Sequence, residues 1–160
     1  MDQFIKLKST TNLVDTLHSF ALRQNTTWIH KNAFDIAVVP HSLVQADNVI
    51  SKLLGKFKAV PVIFRMEPMQ FYRFHVDAAR YSALNLLLSG KDSQTYFATE
   101  TADEEILNLT ELNYDDNCFY LLNTQAKHGV VNRHNTRYMF SLGFEDDYTT
   151  LKKFIEDNNL

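Results

Sequence analysis

The stretch AVPVIFRMEPMQFYRFHVDAARYSALNLLLS, residues 59–89, decides how this chain folds. Its runs VPVIFRM, QFYRFHV and SALNLLL are dense in β-branched and aromatic residues, and Glu67-Pro68 marks a turn between the first two. The cadence continues through QTYFATE, ILNLTEL, CFYLLNT, HGVVN and RYMFSLGF, with turn formers at Ser89-Gly90-Lys91-Asp92 and across residues 113–117. Eight short strands in about eighty residues predict a sandwich or a jelly roll. The chain has only four glycines, so Asn, Asp and Ser must supply most of its tight turns.

Outward from this core the pattern turns helical. Ser9 or Thr10 is placed to cap a helix carrying Leu13, Val14, Leu17, Phe20 and Ala21 at helical spacing. Phe34 to Val39 reads as a strand stopped by Pro40. Ser42 opens a second helix with Leu43, Val44, Val49, Ile50, Leu53 and Leu54, and Gly55 stands where a helix often ends. The tail TTLKKFIEDNN reads as a last amphipathic helix. The expectation is one α+β domain over residues 1–160: helical support in 1–58, a β-core in 59–144 and a C-terminal helix in 145–160.

Composition narrows the function. The chain has 160 residues, 45% hydrophobic and 22% charged, which fits a folded globular protein and excludes intrinsic disorder. Sixteen Lys and Arg against nineteen Asp and Glu leave a net charge of -3, a poor basis for gripping nucleic-acid phosphates. One cysteine, Cys118, excludes a disulfide framework, a zinc ribbon and a Cys-rich iron–sulfur site. The N-terminus has no signal-peptide run and no apolar stretch approaches a membrane span, so a cytoplasmic location is expected.

His75 and Asp77 carry the chemistry. On an extended strand, positions 75 and 77 project to one side and present an imidazole and a carboxylate together. His128 brings a second imidazole from a strand distant in sequence. Two histidines and one carboxylate on one face of a metal, with the other positions open, is the ligand set of non-haem Fe(II) oxygenases. H-x-D alone is an unspecific pattern, most often a surface pair. Arg137 adds weight to it. This arginine opens the apolar strand RYMFSLGF, where a buried guanidinium needs an anion that its planar fork can bind bidentately. Its plainer reading is an exposed strand-end arginine.

The order His75-Val76-Asp77, His128, Arg137 resembles the Fe(II)/2-oxoglutarate-dependent dioxygenases. Its flanks are most similar to the prolyl-hydroxylase-like and aspartyl/asparaginyl-hydroxylase-like branches. MEPMQFYRFHVD is similar to the family's approach to the first two ligands, and KHGVVNRHNTRYMFSLGF to its distal strand pair. The resemblance covers roughly residues 59–144 and implies a double-stranded β-helix, the cupin-like jelly roll, as the core, with the N-terminal helices packed on it. It further implies Fe(II) held by His75, Asp77 and His128, with no catalytic group beyond these ligands. Arg137 would pair the far carboxylate of 2-oxoglutarate. The implied activity is hydroxylation of a small molecule or a peptide side chain, with the cosubstrate decarboxylated to succinate. The alternative is a jelly-roll protein that binds metal or ligand without turnover. Met66 and Leu87 stand where many relatives carry cosubstrate-binding tyrosines, and Met69 replaces a loop glycine. Asn85 and Tyr96 are therefore expected as cosubstrate contacts, and Arg80 as a substrate contact at the mouth. Trp28, Phe71, Tyr72 and Phe74 are candidates to line that mouth. No nucleic-acid or membrane partner is expected.

Overall fold

The computed structural model describes residues 2–101 and 105–160. In chain order its strands are β1 (Phe4–Thr10), β2 (Ile29–His30), β3 (Asp35–Val38), β4 (Ala59–Met66), β5 (Phe71–His75), β6 (Ser82–Ser89), β7 (Gln94–Glu100), β8 (Ile106–Leu112), β9 (Cys118–Asn123), β10 (His128–Val131) and β11 (Arg137–Phe144). Its helices are α1 (Leu13–Ala21), α2 (Asn48–Lys56) and α3 (Tyr148–Asp157). All strand pairs are antiparallel, in a seven-stranded sheet ordered β1-β9-β6-β11-β4-β3-β2 and a four-stranded sheet ordered β5-β10-β7-β8. The class is α+β, as the sequence predicts, and the eight strands expected over residues 59–144 are all present.

Period-two alternation gives the larger sheet two different faces. Phe140, Leu142 and Phe144 of β11, with Leu84 and Leu86 of β6 and Phe119 and Leu121 of β9, are buried against Leu17, Ile50, Leu53, Leu151 and Ile155 of the three helices. Each such side chain contributes about 1.5–3 kcal/mol by leaving water. The intervening residues point the other way, towards the smaller sheet. Cys118, Tyr120 and Leu122 of β9 pack there with Phe97 and Leu112, and the Phe4 and Phe97 ring centroids are 5.5 Å apart. Between these two packed regions the inner faces leave a cavity.

The strand read at Phe34 to Val39 is β3, but the first 58 residues otherwise carry less helix than the support expected of them. Ser9 and Thr10 lie in β1 and cap nothing. Ile5 and Leu7 alternate with Lys6 and Lys8, a strand period, and β1 pairs with β9. The first turn of α1 is instead held by Thr11, whose hydroxyl accepts the Leu13 N–H at 3.2 Å. Ser42 lies in a 3₁₀ turn, His41–Leu43, and α2 begins later, at Asn48. The Asp47 carboxylate starts it by accepting the N–H groups of Val49 and Ile50 at 2.9 and 3.1 Å. Gly55 lies inside α2 rather than beyond its end. Among the described residues no helix is long and apolar enough to cross a membrane.

Candidate metal centre and anion cavity

Strand pairing brings the two histidines together. β5 and β10 are antiparallel neighbours with His75 opposite His128, and their ring centroids are 4.4 Å apart. Asp77 follows β5, where its backbone N–H donates to Thr124 O at 3.0 Å. The three side chains offer ligand atoms that all lie within 4.8 Å of one another. Asp77 Oδ1 is 3.1 Å from His75 Nε2 and 3.9 Å from His128 Nε2. Each imidazole also sets its Nδ1 against a carbonyl, Arg73 O at 2.8 Å and Ala126 O at 2.9 Å. A carbonyl only accepts, so each Nδ1 carries a proton and Nε2 is the nitrogen left for a ligand bond.

The titration behaviour follows from these contacts. Burial pushes the Asp77 carboxyl up, but the His75 hydrogen bond and the charges of Arg80 and His128 carry it below its ordinary value. Burial pushes His128 below its ordinary value, which favours its neutral form. For His75, burial acts downward and is outweighed by Asp77 and the Arg73 carbonyl, so its pKa rises. With Nδ1–H already donated, the contact from His75 Nε2 to Asp77 is a hydrogen bond only while His75 is cationic. A divalent ion bound between them takes the place of that proton.

Arg137 sits across the cavity on the inner face of β11, and it is 6% exposed. Nη2 donates to Thr95 Oγ1 at 2.9 Å, and the guanidinium carbon lies 5.8 Å from the Tyr114 ring centroid. Among the described residues it forms no ion pair, and its Nε has no hydrogen-bond partner. Burial pushes its pKa down, with Tyr114 opposing. The cavity it shares with His128, Asn85, Thr95 and Tyr114 measures about 90 Å³. Asn85 Oδ1 is likewise buried without a partner. Gly90, at φ +88°, makes room for Arg137, because a Cβ there would stand 2.7 Å from the Arg137 Cα.

The other expected contacts divide. Asn85 lines the cavity. Tyr96 does not, because Thr95 and Phe97 take the inward positions of β7 and turn Tyr96 to the outer face. Arg80 lies at the mouth, but its Nε is committed to Asp77 Oδ2 at 2.5 Å. Tyr72 reaches the cavity, whereas Trp28 lies under Arg65, 4.4 Å from the guanidinium carbon to the ring centroid. Thr95 and Tyr114 were missing from the sequence reading. Thr95 shares the face of Phe97 by alternation, which places it once Phe97 is known to be inward; Tyr114 lies between β8 and β9 with no period to place it.

No protein-family model matches the sequence, and no curated protein matches it. Solved structures do match. A 2OG-Fe(II) oxygenase family oxidoreductase from Burkholderia pseudomallei superposes with a TM-score of 0.65 at 13% identity, covering 91% of this chain and 85% of the other. A Pseudomonas putida prolyl-4-hydroxylase gives 0.61 at 14% identity, covering 89% and 91%. HygX from Streptomyces hygroscopicus, with nickel, 2-oxoglutarate and hygromycin B bound, gives 0.61 at 10% identity, covering 88% and 82%. The chain therefore has the fold of the 2-oxoglutarate/Fe(II) oxygenases.

Proposed function

We propose that this chain is an Fe(II)- and 2-oxoglutarate-dependent dioxygenase that hydroxylates a small molecule or a peptide side chain. The observation that carries the proposal is Arg137, a buried guanidinium without a counter-ion among the described residues, facing the cavity that His128 lines from the other side. Leaving such a group unpaired is costly, and a carboxylate relieves that cost. The donor set fits the metal: two imidazole nitrogens and one carboxylate oxygen, with three protein ligands leaving positions open.

In this reading His75, Asp77 and His128 hold the ion. Arg137 and Thr95 take the far carboxylate of 2-oxoglutarate, and Asn85 adds a polar contact. Bound Fe(II), 2-oxoglutarate and dioxygen supply oxidative decarboxylation to succinate and CO₂ coupled to hydroxylation of a C–H bond. Phe64, Met66, Leu122 and Met139 wall the cavity and keep water from it. The core is a double-stranded β-helix. Numbering the strands from β4 to β11 as one to eight, the sheets run one-eight-three-six and two-seven-four-five, so that first and last strands are neighbours. The substrate takes the groove that opens beside Asp77, about 590 Å³ and walled by Phe34, Val60, Val62, Phe64 and Tyr72. HygX with hygromycin B bound and a prolyl-4-hydroxylase among the similar folds accord with either substrate class.

Anaerobic addition of Fe(II) and then 2-oxoglutarate tests this reading. We expect a weak visible charge-transfer band, and succinate once oxygen is admitted. Iron binding with neither signal would leave a protein that binds metal without turnover.

A further inference from the structure

Asp77 divides its two oxygens between different tasks. Oδ1 faces both imidazoles, while Oδ2 accepts from Arg80 Nε at 2.5 Å. Arg80 is itself held from several directions. Its guanidinium carbon lies 5.3 Å from the Phe64 ring centroid, and Nη1 is 3.5 Å from Ser141 Oγ. Its carbonyl accepts from Thr124 Oγ1 at 2.7 Å and from Gln125 Nε2 at 3.3 Å, and Gln125 Nε2 also donates to Asp77 O at 2.8 Å. The stem of Arg80 lies across Gly143, where a Cβ would come within 2.8 Å of the Arg80 Cδ.

We infer that Arg80 is a positioning residue that holds Asp77 as a one-oxygen ligand; this rests on the dioxygenase reading of the same site. A carboxylate free to rotate can close on a cation with both oxygens and fill a position that the cosubstrate needs. Arg80 occupies the second oxygen and prevents this. Gly143 is part of the device, because only a residue without a side chain leaves room for the arginine stem. The Arg80 Nε is thereby engaged with the metal carboxylate.

Anaerobic titration with Co(II), then with 2-oxoglutarate, tests this in the wild-type chain, Arg80→Gln and Gly143→Ala. Co(II) reports its coordination in its visible bands. In both variants the bands should change and 2-oxoglutarate should bind about tenfold more weakly, with circular dichroism unchanged. Gly143→Ala alters no charge and no ligand, so a changed spectrum there marks the placement of Arg80; if Arg80→Gln does not fold, this variant decides. Folded variants with wild-type bands and wild-type cosubstrate affinity would overturn the inference and leave the dioxygenase reading intact. A wild-type chain that binds no Co(II) would overturn both.

Discussion

Asp35 shows what a buried charge requires when its partners are present. Burial pushes its carboxyl up, but Arg65, through Nε at 3.0 Å and Nη2 at 2.5 Å, and His30 at 2.5 Å bring it below the ordinary 3.8. A carboxyl lowered on folding stabilises the fold fully above its unfolded value, and the gain disappears as pH falls through the lower folded value. Thermal melts of the wild type should therefore drop steeply below about pH 4. Asp35→Asn should be less stable at neutral pH and should flatten that acid limb; an unchanged limb would remove Asp35 from the account. Arg137 is the opposite case, a buried charge without a counter-ion among the described residues, and its setting was legible because an arginine opening RYMFSLGF stands out among apolar neighbours. His75 and Asp77 stood out only together with His128 and Arg137, because H-x-D alone is unspecific and Asp77 lies beyond the end of β5. Tyr96 was misplaced because a single tyrosine does not reveal which face of its strand is inward; Phe97, buried with Cys118 and Leu122, settles that in the fold.

At the scale of elements, the turn from β6 to β7 positions Arg137 as much as β11 does. Gly90 combines φ +88° with a Cβ position 2.7 Å from the Arg137 backbone. Gly90→Ala should destabilise the chain by more than about 1 kcal/mol and weaken 2-oxoglutarate binding as β11 shifts. Urea midpoints and cosubstrate titration measure both effects; wild-type values would show that the turn adapts freely. The strands from β4 to β11 were readable because each is a short β-branched or aromatic run between turn formers. β1 carried a legible alternation of Ile5 and Leu7 with two lysines, but the helical spacing that follows drew Ser9 and Thr10 into a capping role. The two residues of β2 have no period to detect. The start of α2 depends on Asp47, a capping carboxylate that sits among residues already read as helix.

In the whole molecule, two sheets do different work. The larger sheet turns its apolar outer face to the helices and sets Arg137 and Asn85 on its inner face, while the smaller sheet supplies His75, His128 and Thr95. Sequence spacing conveyed which residues belong together, but not how close they lie, because His75 and His128 meet through a strand register that no local pattern states. In the proposed dioxygenase, one cavity has a metal end and a carboxylate end that bind the same molecule. Calorimetric titration of 2-oxoglutarate into metal-loaded wild type and Arg137→Gln tests it most directly, with metal affinity measured alongside. The account predicts cosubstrate binding weaker by ~2–3 kcal/mol, the scale of a lost charge-assisted hydrogen-bond pair, and metal affinity unchanged. Undiminished 2-oxoglutarate affinity in a folded, metal-loaded Arg137→Gln would contradict it.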